Sequence, residues 1–369
     1  MTSVTVPGAV LEQARDVARE VADLAGVVVD AAELLTGRAA LLGLPAAGLV
    51  SAGGASHLLP GPDGWCALTL SRPDDVAAVA ALVEADQIED PWDAVAHWVR
   101  HAGVLELAQR ARLLGLPVGV YGEARPQEPV VTRIGERAHG PLRDALVVDL
   151  SSMWAGPLCG ALLARAGATV VKVESAARPD GTRAGPVAFF DWINGGKLSY
   201  LADFTRPDAL RALLAAADVV IESSRPDGLR RRGLGPDQVP ARPGRVWLRI
   251  TGHGAEAPSA DWVAFGDDAA VAGGLIDGSA AAPRFCADAV ADPLTGLHAA
   301  RAVLSARQRG GGALVDISMA AVASGYADLP RGNPVVAADP PEIAGAAAEL
   351  GAHNDVVDRI AAQRLADAC

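Results

Sequence analysis

The chain has 369 residues, more than one average domain needs, so two units or one unit with a large appendage are expected. Half of its residues are hydrophobic but only 4% are aromatic, so Ala, Val and Leu must fill the core. A net charge of −12 argues against nucleic acid and against anionic membrane surfaces as partners, because both require a basic face.

The first twenty residues carry acids and no apolar stretch, so they do not read as a signal peptide. VLEQARDVAREVADLAG (10–26) has apolar residues at helical spacing. GWCALTL (64–70), entered by a Pro-Asp-Gly turn, reads as a strand, PWDAVAHWVRHAGVLELAQRARLLGL (91–116) as a long helix and LPVGVY (116–121) as another strand. Together 1–124 form a small α+β segment. The polar stretch RPQEPVVTRIGERAHGPLR (125–143) has no clear period and reads as a linker.

From 144 the pattern changes to short β-rich runs alternating with helices. Strands are expected at 145–150, 168–174, 217–222, 245–250 and 313–318, with helices at 157–166, 206–216 and 293–308. This alternation predicts an α/β fold with right-handed βαβ units and a mainly parallel, Rossmann-like sheet over 144–329. A proline-rich loop opens the tail, 330–369, which ends in a helical pattern. The region 264–276 is apolar but short and carries Asp267 and Asp268, so it does not read as a membrane span. The four cysteines, Cys66, Cys159, Cys286 and Cys369, have no CxxC spacing, which points to reduced thiols in a cytoplasm and to no metal site.

In the first βαβ unit, LVVDLSSMWAGPLCGALLARAGATVVKVE, Ser151, Ser152 and the free amides of the helix start could hold an anion. Glu174 ends the second strand, where a dinucleotide fold would hold a ribose, but the loop offers only Gly156 and Gly160 in place of a GxGxxG fingerprint. Those glycines are equally consistent with close helix–strand packing.

These residues, followed by RPDGTR (178–183), resemble the opening of class III CoA-transferases of the CaiB/BaiF type, which include formyl-CoA transferase and the carnitine-type enzymes. ADVVIESSRPDGLRRRGLG (217–235), RVWLRITGHG (245–254), FGDDAAVAGGL (265–275), ADPLTGLHAARAVLSA (291–306) and GGGALVDISM (310–319) resemble later motifs of that family in its own order. SAGGASHLLPGPDGWCALTLSRPDD (51–75) is similar to the family's small domain, which here precedes the large one, and LGAHNDVVDRI (350–360) is similar to its closing segment.

The resemblance implies an acyl-CoA:carboxylate CoA-transferase working through a covalent aspartyl intermediate, with Asp292 as the nucleophile. Read without the resemblance, an Asp-Pro at a helix start is an N-cap whose carboxylate accepts from the amides at 294 or 295. The two readings are compatible, since a helix N-terminus favours an ionised carboxylate. The resemblance also places coenzyme A near Ser152 and Trp154 and matches Arg231 to a CoA-contacting arginine. Arg178 and Arg183 are phosphate candidates, and Gly53 and Gly54 a glycine loop over the site. Trp154 stands where formyl-CoA transferase has a polar residue and Ser175 where the family often has a cofactor-contacting Arg, which keeps a non-catalytic CoA-binding homologue open. A racemase of the α-methylacyl-CoA type would need a histidine where this chain has Gly266, with Asp267 or His298 as the remaining substitutes. The family forms interlocked dimers, so a cytoplasmic homodimer acting on acyl-CoA and a small carboxylate is the expectation.

Overall fold

The computed structural model describes residues 3–330, 333–336 and 338–367. The chain opens with β1 (Thr5–Pro7), α1 (Gly8–Ala25) and α2 (Ala31–Leu42). A hairpin of β2 (Ser56–Gly61) and β3 (Gly64–Thr69) leads through α3 (Pro73–Ala77), α4 (Val79–Leu82), α5 (Pro91–Ala102) and α6 (Val104–Leu113) to β4 (Val118–Val120). Next come β5 (Val130–Arg133), β6 (Leu146–Asp149), α7 (Ala155–Arg165), β7 (Thr169–Glu174), α8 (Val187–Asn194), β8 (Leu198–Leu201), α9 (Asp208–Ala216), β9 (Val219–Glu222) and α10 (Asp227–Arg230). The chain continues with β10 (Val246–Thr251), α11 (Gly266–Ala272), the hairpin β11 (Ile276–Ser279) and β12 (Ala282–Phe285), α12 (Ala291–Gln308), β13 (Ala313–Ser318), α13 (Met319–Ser324), β14 (Pro334–Val336) and α14 (Asn354–Ala366).

Seven strands form the main sheet in the order β5-β13-β10-β9-β6-β7-β8, parallel except for β5. The Val- and Ile-rich centres of β6, β9 and β10 are apolar on both faces because helices cover both. Val147, Val219, Ile221 and Leu248 join α1, α2, α7 and α12 in one core, while Val148, Val220 and Trp247 join α9 and α14 in the other. The strand order reverses between β6 and β9, and a crevice at that point is where an open α/β sheet receives its ligand.

The α/β class and the five expected strands agree with the structure to within two residues at each end. Three differences have local causes. Residues 130–133, inside the stretch expected as a linker, form the antiparallel edge strand β5, and all four side chains are exposed, so no alternation marked them. The helix expected over 91–116 breaks at Gly103, whose φ of 96° ends α5; the Asp63 carboxylate then caps α6 by accepting from the amides of Val104 (2.7 Å) and Leu105 (3.1 Å). The 1–124 segment also divides. Its β2–β4 and α3–α6 part encloses its own core around Leu68, Leu82, Val99 and Leu107, whereas α1 and α2 bury Val10, Leu11, Leu34 and Leu35 in the core of the main sheet. Leu58 and Ala67 of the hairpin pack on Val271 of α11 and fix the small part against the large one.

Candidate active site

Asp292 is the second residue of α12 and is only 8% exposed. The expectation of an N-cap is corrected: the cap is Val290, and Asp292 already lies inside the helix. The backbone amides of Ala155 and Gly266, the first residues of α7 and α11, favour its charged form. The first amides of any helix lack intrahelical partners, so both can act on this carboxylate. The expectation that the helix start holds Asp292 ionised is also corrected. Burial dominates and pushes its carboxyl up to about 7, with Asp267 adding to the rise and the charge of Arg38 opposing it.

Around Asp292 the chain places three further buried aspartates. Arg38 of α2 makes a fork to Asp288, Nε to Oδ2 at 2.8 Å and Nη2 to Oδ1 at 2.6 Å, and its guanidinium lies 5.0 Å from the Trp154 ring and 5.5 Å from the Phe189 ring. Asp267 accepts from the Ser56 hydroxyl (3.0 Å) and the Ala289 amide (3.1 Å), and burial with the neighbouring Asp288 charge pushes its carboxyl up to about 6. Asp268 accepts from the Thr69 hydroxyl (2.8 Å) and the Phe265 amide (3.0 Å); burial raises its carboxyl well above the usual range. Strands β2 and β3 therefore reach the start of α11, beside α12, through Ser56 and Thr69. At Gly266 a Cβ would sit 2.5 Å from Asp292 Oδ2 and press into the Ala289 carbonyl, so the position where a racemase needs a histidine accepts no side chain here.

The residues expected at the cofactor separate into groups. Trp154 is 2% exposed and caps α7 beside Arg38; its indole Nε1–H has no partner among the described residues. Gly53 sits against Arg38, where a Cβ would be 3.2 Å from Nη2, and Gly54 turns the loop at φ 81° with its amide donating to the Ser51 carbonyl (2.9 Å). Ser152 is exposed in the β6–α7 loop, at the crevice, and its amide donates to the Ser223 hydroxyl (3.3 Å) after β9. Arg178, in the loop after β7, and Arg231, after α10, are exposed. Arg183 is committed: it forks onto Glu174 (2.7 to 3.0 Å), donates to the Ala348 carbonyl (3.1 Å) and lies over the Phe190 ring. That pairing also occupies Glu174, the candidate ribose holder of the dinucleotide alternative. His298 is bound to the Tyr326 hydroxyl (2.8 Å), away from Asp292.

Sequence reasoning did not single out Arg38, Ser56, Thr69 or Asp288. A lone arginine within the apolar helix AAELLTGRAALL was a signal of a buried partner, but nothing local named Asp288. It also passed over the ions beneath the β6–α7 loop. Lys197 Nζ bonds Asp149 (2.9 Å) and the Pro157 carbonyl (2.7 Å), and Lys172 Nζ bonds Asp180 (2.7 Å) and the Ser151 carbonyl (3.0 Å). Asp180 also accepts from the amide of Met153 (3.2 Å), which is held at φ 73° just before Trp154. Gly156 and Gly160 stand against Ser151 and Asp149, so their role here is close approach.

Among the described residues no helix is long and apolar enough to cross a membrane. Comparison with known proteins matches residues 142–348 to the model of CoA-transferase family III. The chain is 32% identical over 230 residues to a succinate–glutarate CoA-transferase of Agrobacterium fabrum, covering 54% of this chain and 56% of the relative. It is 33% identical over 202 residues to a succinyl-CoA–D-citramalate CoA-transferase of Chloroflexus aurantiacus, covering 50% of each. A solved CAIB/BAIF family protein from Brucella suis is 32% identical, with a TM-score of 0.46 over 52% of this chain and 56% of that one. The chain thus spans about half the length of the curated relatives it matches. With the match running from just before β6 past α12 and β13, the chain belongs to CoA-transferase family III.

Proposed function

We propose that this chain transfers coenzyme A from an acyl-CoA to a carboxylate through a covalent intermediate on Asp292. The observation that carries the reading is the setting of that one side chain: a buried carboxylate at the meeting of three helix starts, on which the amides of Ala155 and Gly266 and the charge of Arg38 bear. In its ionised form Asp292 attacks the thioester carbonyl and expels CoA thiolate, leaving a mixed anhydride. The thiolate attacks the aspartyl carbonyl of that anhydride, releasing the donor carboxylate and leaving an aspartyl-CoA thioester. The acceptor carboxylate attacks the thioester, again expelling thiolate, which then attacks the acceptor's own acyl carbon and frees Asp292. Each step develops charge on a carbonyl oxygen, and the amides of Ala155 and Gly266 beside the carboxylate are the donors at hand for it.

In this reading coenzyme A lies along the edge of the sheet where β6, β7 and β9 end. Ser152 lines the crevice, the unpartnered N–H of Trp154 is a donor for the bound ligand, and the exposed Arg178 and Arg231 can turn to meet phosphate. Arg183 holds the loop after β7 through Glu174 instead of meeting the cofactor directly. Gly53 and Gly54 carry the loop that covers Arg38. A cytoplasmic homodimer belongs to the same proposal.

A second reading, racemase-like proton transfer, is favoured by one observation: the charge of Asp267 bears on Asp292, which makes a pair of neighbouring acids. Two measurements separate the readings. After incubation with a panel of acyl-CoA esters, hydroxylamine or borohydride should trap a modified Asp292, detected by mass spectrometry. Absence of any adduct, with acyl-CoA still bound, supports a binding protein. Deuterium entering the α-carbon of the acyl group from heavy water without an adduct supports the racemase.

A further inference from the structure

Arg38 enters the site from α2, well before the family match begins at residue 142. We propose that Arg38 is the positioning residue of Asp292: it clamps the loop leading into α12 and is the cation that balances the site's carboxylates. The functional meaning of this inference rests on the CoA-transfer reading, although its geometry does not.

The clamp is visible in the backbone. The loop 286–290 holds two alanines in the left-handed region, Ala287 at φ 54° and Ala289 at φ 44°. Side-chain-bearing residues stay there only when their surroundings over-determine them. Asp288 lies between the two, and its carboxylate is fixed in rotation by the two-pronged fork from Arg38. The Ala289 amide is held by Asp267, and three residues later the chain reaches Asp292. Arg38 is itself held over the Trp154 and Phe189 rings.

The charge balance points the same way. From α11 the start of α12 faces Asp267, and from its own loop Asp288, while Asp268 is turned to Thr69 of β3. From α7 it faces the Ala155 amide. Helix α13 brings no ionisable side chain, and α1 meets α12 farther along, where Glu20 pairs with Arg301 (3.4 Å). His298 is engaged by Tyr326. Among the described residues Arg38 is the cation whose field reaches both Asp267 and Asp292. Without it a buried carboxyl keeps its proton, and a protonated carboxyl is no nucleophile.

The test titrates Asp292 directly in the full chain without substrate, by infrared difference spectroscopy with Asp292→Asn identifying its band. Arg38→Gln retains a hydrogen bond to Asp288 and removes the charge; it is expected to raise the Asp292 midpoint by about one pH unit, a tenfold change in proton affinity. Arg38→Lys keeps the charge and loses the fork; it is expected to leave the midpoint near wild type while amide exchange in 286–290 quickens by about tenfold. An unmoved midpoint in Arg38→Gln, or unchanged exchange in Arg38→Lys, overturns the proposal. Neither readout needs turnover. A wild-type chain that forms no aspartyl adduct therefore sinks the CoA-transfer reading alone, while the titration and the exchange rates decide the role of Arg38.

Discussion

At Asp292 the cost of the site falls on the fold. The folded-state pKa of about 7 lies above the ordinary value of 3.8, so the native chain binds this proton more tightly than the unfolded chain does. The stability contributed by the protonated group is fully present below 3.8 and is lost as pH rises toward and through 7. Asp292→Asn should therefore leave stability near wild type at pH 4 and raise it by about 1–3 kcal/mol at pH 8, read from urea unfolding at the two pH values. On the proposed mechanism the same substitution is expected to abolish the adduct, read by mass spectrometry. Gly266→Ala acts in the opposite way. Its methyl group would enter the space of Asp292 Oδ2 and the Ala289 carbonyl, so a loss of about 1–3 kcal/mol and of about a hundredfold in adduct formation is expected, measured by thermal unfolding and by quantitative mass spectrometry. A merely crowded turn would lose stability and keep its rate.

Among the elements, the β6–α7 connection depends most on buried charge. Burial pushes the Asp149 carboxyl up, but Lys197 and Lys172 outweigh it and hold it below the usual range. Lys197→Met leaves Asp149 buried with its nearest cation gone, and a loss of about 3–5 kcal/mol is expected in chemical denaturation. This loop shows where sequence reading ends. Strand β6, helix α7 and strand β7 were legible because apolar runs of the right length alternate with a proline-marked helix start. The lysines that tie the loop down were not, because Lys172 sits inside a strand pattern and Lys197 before one, and only the fold brings either near Asp149 or Asp180. Asp292 was singled out through its family motif, whereas Arg38 was not, because its partner Asp288 lies far along the chain with no local pattern linking them. The break at Gly103 was missed for a related reason: a glycine inside a helical period is tolerated unless a cap such as Asp63 stands ready elsewhere.

Across the whole molecule the order of sections along the chain is not their order in space. Residues 51–124 build a core of their own, but α1 and α2 complete the core of the main sheet together with α7 and α12. A chain beginning at residue 48 should therefore lose the cooperative unfolding of the large part, because Val10, Leu11, Leu34 and Leu35 no longer cover α12, and exposed apolar surface should bind a hydrophobic dye. Retention of a single sharp transition by that shortened chain would contradict the packing described. The boundary at 125–143 carries similar weight: its exposed edge strand β5 lies beside β13 and closes one side of the sheet.

The placing of one carboxylate beside two helix starts has a consequence beyond its own reactivity. If its oxygen is bonded to an acyl carbon or replaced by sulfur, as proposed, the negative end-group beside the starts of α7 and α11 is gone, and both lose an electrostatic anchor in the same instant. On that proposal each turnover would loosen and reseat two joints of the scaffold, at Ala155 and at Gly266. The covalent state of a single side chain would then be felt at both walls of the cleft.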